Sequence, residues 1–386
     1  MKVDFINSSY RRFFKEHEDE IMTAFRDCAS QGDFMLRDET RKFEKQLAEY
    51  VGTKYAVSTN SGTDSIFLSL LALGVGPGDE VITCGHTFIA TIQAIVHTGA
   101  TPILVDVGKD GLMDMSKLVL AVNNKTKAII PVHLSGKVCD MGLLNELRLE
   151  MLGDQVDHTI DIVEDAAQAL GAGCELGLAG SIGDTGCFSF NFPKMMGCYG
   201  DGGAVVTSDE EVYQKLLLLR NHWNITQGSV KTDDYPPPDT MGWGWKSRMD
   251  NIQAAILNVK FKYYDQMLSR RKEIADKYNA EFYGIGLSAL DDISLPIQHD
   301  GQVYQEYIIR VKDRDKFAKH MEDNGIELLI RDTVPNHKLP GLGLQRFDLP
   351  VTEKMALDQV RLPVFPELKD EEVEYIIKCV RKYYER

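Results

Sequence analysis

Gly186-Cys187-Phe188-Ser189-Phe190-Asn191-Phe192-Pro193-Lys194-Met195-Met196-Gly197-Cys198-Tyr199-Gly200-Asp201-Gly202-Gly203, followed by Ala204-Val205-Val206-Thr207, is the stretch from which the fold is read. Two short apolar runs flank a glycine-rich segment carrying a single lysine. Glycine lets backbone crowd close to a ligand, and the apolar runs read as buried strands. Such a setting presents the Lys194 amine to a pocket, as a lysine that forms a Schiff base with a carbonyl compound is presented. Most lysines are solvated surface charges, so the reading rests on what the rest of the chain places around this one.

Working outward toward the N-terminus, short β-rich runs alternate with helix-length stretches. Tyr55-Ala56-Val57-Ser58 precedes a helical 66–73, Glu80-Val81-Ile82-Thr83 precedes a helical 89–97, and Pro102-Ile103-Leu104-Val105 follows. Further strand candidates are Ala128-Ile129-Ile130-Pro131-Val132, Thr159-Ile160-Asp161-Ile162-Val163 and Cys187-Phe188-Ser189-Phe190. This alternation predicts an α/β layer with a largely parallel sheet and sites beyond the carboxyl ends of its strands. Before it, 37–51 carries Phe43, Leu47 and Val51 at four-residue spacing and stops at Gly52, an amphipathic helix. Residues 1–35 carry helix-like spacing in Glu20-Ile21-Met22-Thr23-Ala24-Phe25-Arg26 and are expected to pack along the body as an N-terminal arm.

Toward the C-terminus, 220–248 loses periodicity and gathers Tyr235-Pro236-Pro237-Pro238-Asp239 and Met241-Gly242-Trp243-Gly244-Trp245. A loop of that length inside a compact protein is usually functional or disordered. Residues 249–278 read as one long helix with Ile252, Ala255, Ile256, Val259 and Tyr263 on one face. A strand at 307–311 and helices at 314–324 and 371–383 then predict a smaller α+β unit. The division expected is a large domain over 1–248, with its N-terminal arm, and a linking helix plus small domain over 249–386.

With 386 residues the chain can bury a sizeable core, and 44% hydrophobic with 26% charged residues is ordinary for a globular protein. A net charge of −15 lacks the basic footprint of a nucleic-acid binder. The seven cysteines (Cys28, Cys84, Cys139, Cys174, Cys187, Cys198, Cys379) are scattered and never spaced as C-x-x-C. They predict neither a disulfide framework nor a zinc site, but buried reduced thiols. No apolar run approaches a membrane span and no leader pattern opens the chain, so a cytoplasmic protein is expected.

Around the lysine, Asn60-Ser61-Gly62-Thr63-Asp64-Ser65 follows one strand and opens one helix. Free N–H groups of the first helical turn, a glycine and the Thr63 hydroxyl suit a phosphate, though an ordinary capped turn reads the same way. Asp165 lies past an apolar strand, at the edge where ligands bind; it could keep a ring nitrogen protonated or simply cap the following helix. Gln168 could donate to a ring oxygen or cap. Phe88 could lie flat against a planar ligand or belong to the core.

These segments, with Pro77-Gly78-Asp79-Glu80-Val81-Ile82, His133-Leu134-Ser135-Gly136, Gly200-Asp201-Gly202-Gly203, Arg248-Met249-Asp250-Asn251-Ile252-Gln253-Ala254-Ala255 and Leu362-Pro363-Val364-Phe365-Pro366-Glu367-Leu368, occur in the order seen in one family. From about residue 10 to its end the chain resembles the sugar aminotransferases of the DegT/DnrJ/EryC1/StrS family. The resemblance implies fold type I of the pyridoxal-phosphate transferases: a mixed, mostly parallel seven-stranded sheet flanked by helices, plus a smaller α+β domain. It implies pyridoxal 5′-phosphate as cofactor, with pyridoxamine phosphate as its aminated form, and no metal. Lys194 would hold the cofactor as a Schiff base and Asp165 would pair with its ring nitrogen. Gln168 would bond the ring oxygen, Phe88 would stack, and Gly62, Thr63 and Ser189 would bind the phosphate.

The resemblance also implies L-glutamate as amino donor and a keto sugar as acceptor. That sugar would be a nucleotide-linked 3-keto or 4-keto 6-deoxyhexose, with C3 the weakly favoured position. A homodimer with shared active sites is implied, the loop ending near Arg248 reaching the neighbour. Two departures bear on specificity. Lys246 stands where most relatives place an asparagine that reaches the partner's phosphate, and a lysine can serve there as a point charge. Arg331-Asp332-Thr333-Val334-Pro335-Asn336-His337 replaces the commoner Ile-His-Tyr-Pro pattern. His222, Trp223, Trp243, Trp245 and His337 are candidate substrate contacts because they sit on long loops.

A dehydratase of the same scaffold carries histidine in place of the lysine, so Lys194 argues for amino transfer. Aminotransferases for a cyclitol or an aminobenzoate precursor share nearly the same motifs. From another class, a catalytically silent regulatory protein would be expected to lose the lysine, the aspartate or the phosphate turn.

Overall fold

The structure is a computed structural model that describes residues 1–5, 8–151, 156–224 and 242–385. Among them a seven-stranded sheet is built from β1 (Tyr55–Thr59), β2 (Glu80–Cys84), β3 (Thr101–Val105), β4 (Thr126–Ile130), β5 (Asp161–Asp165), β6 (Thr185–Ser189) and β7 (Gly203–Thr207). Its spatial order is β1-β7-β6-β5-β4-β2-β3, and only β7 runs against its neighbours. The Lys194 stretch is therefore the connection between β6 and β7, the third and second strands from one edge of the sheet.

Successive residues of these strands face opposite cores, the two-residue period of a strand buried on both sides. Phe188, Ala204 and Val206 join Phe43 and Leu47 on one face. Cys187 and Val205 join Val57, Leu68 and Val163 on the other. The helices that cover these faces are, in chain order, α1 (Ser8–Glu16), α2 (Glu18–Gln31), α3 (Asp38–Val51), α4 (Gly62–Ala72), α5 (Ile89–His97), α6 (Met115–Ala121), α7 (Met141–Met151), α8 (Glu210–Leu219) and α9 (Asn251–Phe261). Helix α4 is apolar nearly all round because it is buried nearly all round.

A separate core draws on α10 (Tyr264–Gly284), α11 (Arg314–Asp323) and α13 (Asp370–Tyr384), which pack Tyr278, Phe282, Phe317 and Ile376 over a small antiparallel sheet. That sheet holds β8 (Ile293–Ser294), β9 (Tyr307–Val311) and β10 (Gln359–Leu362). Burying each such large side chain contributes about 1.5–3 kcal/mol. The remaining α-helix, α12 (Pro350–Asp358), precedes β10 and returns Met355 to the α/β unit.

The structure corrects several sequence expectations. The single helix expected over 249–278 is two, α9 and α10, with tight turns from Lys262 N–H to Val259 O and Tyr263 N–H to Lys260 O between them. Both halves stay buried, so the apolar period runs unbroken through the bend. Strand β10 escaped notice because Gln359 and Arg361, both buried, interrupt its apolar pattern. The N-terminal arm is helical, as its spacing predicts, and Arg12 ties it to Glu372 at 2.6 and 2.7 Å. Cys174 is exposed, whereas the other six cysteines are buried. Tyr235-Pro236-Pro237-Pro238-Asp239 and Met241 lie outside the described residues. No described helix is long and apolar enough to cross a membrane.

Candidate active site

Gly62 follows β1, Phe88 follows β2, Asp165 ends β5 and Ser189 ends β6, so one carboxyl edge of the sheet gathers them. Lys194 sits above that edge in a tight turn, its N–H bonded to Asn191 O and its C=O accepting from Gly197 N–H, both at 2.9 Å. Gln305, which comes just before β9, clamps the turn from the other side. It accepts from Met195 N–H at 2.9 Å and donates to Pro193 O at 3.1 Å. Burial pushes the Lys194 pKa down to about 8; Asp165 opposes that shift and Arg331 adds to it. An amine so shifted is a nucleophile and proton carrier near neutral pH.

Asp165 is nearly buried, and the polarity of its surroundings is specific. Thr91 Oγ1 donates to its Oδ2 at 2.7 Å, and Ala167 N–H to its Oδ1 at 3.2 Å. No helix follows it, so helix capping is not what the carboxylate does. Behind it Glu164 is fully buried, bonded to His133 Nε2 at 2.8 Å and accepting from the amides of Gly180, Ile182 and Gly183. Cys139 N–H donates to His133 Nδ1 at 3.1 Å, so that ring carries its proton on Nε2 and gives it to Glu164. Gln168 Oε1 accepts from Ser135 N–H at 2.7 Å, which leaves the amide NH2 to donate. Phe88 is 63% exposed at the head of α5 rather than in the core.

The turn into α4 is capped by Ser61, whose Oγ accepts from Asp64 N–H at 3.1 Å. That leaves the Gly62 and Thr63 N–H groups at a positive helix end. A Cβ on Gly62 would lie 2.7 Å from Ser189 Cβ, so only glycine lets this helix end sit against Ser189. The donor set fits pyridoxal 5′-phosphate: a cradle of amides and hydroxyls for a dianion, an open aromatic face, a carboxylate, a donating amide and an amine.

The remaining candidates are not gathered with Lys194 in this chain. Lys246 is exposed and pairs by backbone with Asn221, while Ser247 beside it accepts from Asn60 N–H at 3.4 Å, next to the cradle. His222 and Trp223 occupy left-handed backbone (φ 58° and 57°). Trp223 packs on the core under α4, and Trp245 stands edge-on to Phe67 at 5.0 Å. Trp243 is exposed. His337 has no exposed surface and is bonded to Glu353 at 3.0 Å, which corrects its reading as a substrate contact: a fully enclosed side chain offers a ligand nothing. The sequence reading missed Thr91, Ser135 and Gln305, whose hydroxyl, amide N–H and side-chain amide orient the site.

A sequence model of the DegT/DnrJ/EryC1/StrS aminotransferase family matches residues 15–381. The "Pleiotropic regulatory protein" of Geobacillus stearothermophilus is 34% identical over 96% of this chain and 96% of its own. The dTDP-3-amino-3,4,6-trideoxy-alpha-D-glucose transaminase of Streptomyces venezuelae is 36% identical over 97% of this chain and 94% of its own. Among solved structures, NtdA from Bacillus subtilis with bound cofactor PMP superposes with a TM-score of 0.87, at 28% identity, covering 100% of this chain and 86% of that one.

Proposed function

The chain belongs to the DegT/DnrJ/EryC1/StrS aminotransferase family and is a pyridoxal-phosphate-dependent sugar aminotransferase; from that premise we propose that it moves an amino group from L-glutamate to a nucleotide-linked keto sugar. The acceptor we favour is a 3-keto or 4-keto 6-deoxyhexose, and the product an amino sugar for a surface polysaccharide or glycosylated metabolite. The observation that carries this is the Lys194 amine, with its pKa near 8, held in one turn above the Asp165 carboxylate and the Gly62 cradle.

Pyridoxal 5′-phosphate, when bound, supplies an aldehyde that condenses with amines and a ring that draws off electrons from the bond being broken. Lys194, Asp165, Gln168, Phe88, Gly62, Thr63 and Ser189 are the residues that would hold it. Asp165, fixed by Thr91 and Ala167, presents a carboxylate to a ring nitrogen and favours its charged form. Lys194 Nζ takes the proton from the α-carbon of the amino donor and later delivers a proton to the carbon of the sugar that was the ketone. Gln305 keeps Nζ in place through both halves by pinning the backbone on either side of Lys194.

The exposed Phe88 and the exposed Lys246 support a homodimer in which the partner completes each site. Six buried free cysteines support a cytoplasmic setting. The name of the Geobacillus relative favours one second reading, a regulatory protein on this scaffold. The test is a single-turnover reaction with L-glutamate followed by a panel of dTDP-, UDP- and GDP-linked keto sugars. Conversion of the cofactor by glutamate, and its return by one or more of these sugars, is the expected result. Cofactor binding without any glutamate half-reaction would favour the regulatory reading.

A further inference from the structure

Two arginines converge on one buried carboxylate close to Lys194. Arg361 Nε donates to Glu306 Oε2 at 2.8 Å and its Nη2 to Asp332 Oδ2 at 3.2 Å, while Arg331 is ion-paired to the other oxygen of Glu306. Ser135 Oγ donates to Glu306 Oε2 at 3.3 Å, and the Ser135 amide holds Gln168, so the cluster is two hydrogen bonds away from the amide that faces the cofactor. Glu306 and Arg361 are 3% and 2% exposed.

Two guanidiniums and two carboxylates balance in charge but not in hydrogen bonds. Arg361 Nη1 and Arg331 Nε are both buried and make no hydrogen bond among the described residues. Unmet donors away from water are costly, and a fork of N–H groups matches the two oxygens of a carboxylate. The cluster is also reachable. The Arg331 side chain is 39% exposed. Glu306, the partner of Arg331, directly follows Gln305, whose side chain is bonded on both sides of Lys194, to Met195 N–H and Pro193 O.

We propose that Arg331, backed by Arg361, is a specificity-determining residue that binds a carboxylate of the substrate beside Lys194. This rests on reading the Lys194 site as that of an aminotransferase. The carboxylate has two chemical sources: the amino-acid donor, or a keto sugar oxidised to a uronic acid. Glu306 and Asp332 hold the two guanidiniums at fixed spacing, and the ligand's oxygens meet the exposed part of the Arg331 side chain.

The test is calorimetric titration of the holoenzyme with two matched pairs of probes, glutarate against glutaramide and UDP-glucuronate against UDP-glucose. In at least one pair the carboxylate is expected to bind about tenfold to a hundredfold more tightly, and Arg331→Gln to bring the two members within about twofold. Discrimination in the first pair assigns the subsite to the donor; in the second, to the sugar. Arg331→Lys keeps the charge facing Glu306 and carries the test if the glutamine variant melts early; it is expected to lose most of the discrimination because an ammonium cannot fork. No discrimination in either pair, or discrimination that survives both substitutions, overturns the proposal. Borohydride labelling of Lys194 on the same preparations separates this failure from failure of the aminotransferase reading.

Discussion

Thr91 Oγ1 donates to Asp165 Oδ2 at 2.7 Å, and Thr87 Oγ1 lies 2.7 Å from the same threonine hydroxyl. The aspartate proposed to face the cofactor ring is thus aimed by a residue of α5, the helix headed by Phe88. A hydrogen bond to a charged group contributes about 1.5–3 kcal/mol. Thr91→Val, which keeps the shape, is expected to lower the rate of the glutamate half-reaction about tenfold to a hundredfold while cofactor still binds. Asp165→Asn should lower it further. Stopped-flow absorbance checks both, and an unchanged Thr91→Val rate would show that Asp165 needs no such support.

Gly62 offers a test of the cradle that does not touch the chemistry. An alanine there must push α4 away from Ser189, because its Cβ would stand 2.7 Å from the serine Cβ. Overpacking of this kind costs about 1–3 kcal/mol. Gly62→Ala is expected to weaken pyridoxal 5′-phosphate binding about tenfold to a hundredfold and to leave unphosphorylated pyridoxal nearly unaffected. Equal losses for the two would place the phosphate elsewhere.

Lys194 makes the apoprotein's stability depend on pH in a defined direction. Its folded pKa of about 8 lies below the ordinary 10.5, so between those values the unfolded chain binds more protons than the folded one. The burial penalty is present in full below pH 8 and is relieved as pH rises toward 10.5. The stability of wild-type apoprotein minus that of Lys194→Met is therefore expected to rise across that window. Paired urea titrations at a series of pH values measure it, and a flat difference would mean the amine is not shifted.

Glu164 is wholly enclosed and serves four donors: His133 Nε2 at 2.8 Å and the amides of Gly180, Ile182 and Gly183 at 2.8, 2.7 and 2.6 Å. Burial pushes its pKa up, but His133 and these amides outweigh that and hold it below the usual range. Removing the carboxylate leaves these buried donors unpaired at about 1–3 kcal/mol each, several kcal/mol in all. Glu164→Ala is expected to lose that much in denaturant unfolding, with a loss below about 1 kcal/mol contradicting the assignment.

The central sheet and the strand-end residues were legible because their signals are local. Ser61-Gly62-Thr63 announces a turn after a strand, Asp165 terminates an apolar run, and Lys194 stands alone among glycines. The supports were not legible, because they come from far along the chain. Thr91 is 74 residues from Asp165, and Gln305 is 110 residues from Met195. A hydroxyl on a helix or an amide before a strand has no periodic signature until packing brings it there. Arg361 is harder still: in sequence it argues against a buried strand, and only Glu306 and Asp332 make its burial tolerable. His337 shows the opposite error, since a histidine in a loop invites a ligand while the fold encloses it against Glu353.

Incubation of the purified protein with pyridoxal 5′-phosphate, reduction with borohydride and mapping of the labelled peptide tests the aminotransferase reading most directly. The predicted result is a yellow protein that loses its colour on reduction and carries one pyridoxyl group, on Lys194. A colourless protein, or a label on any other lysine, would contradict it.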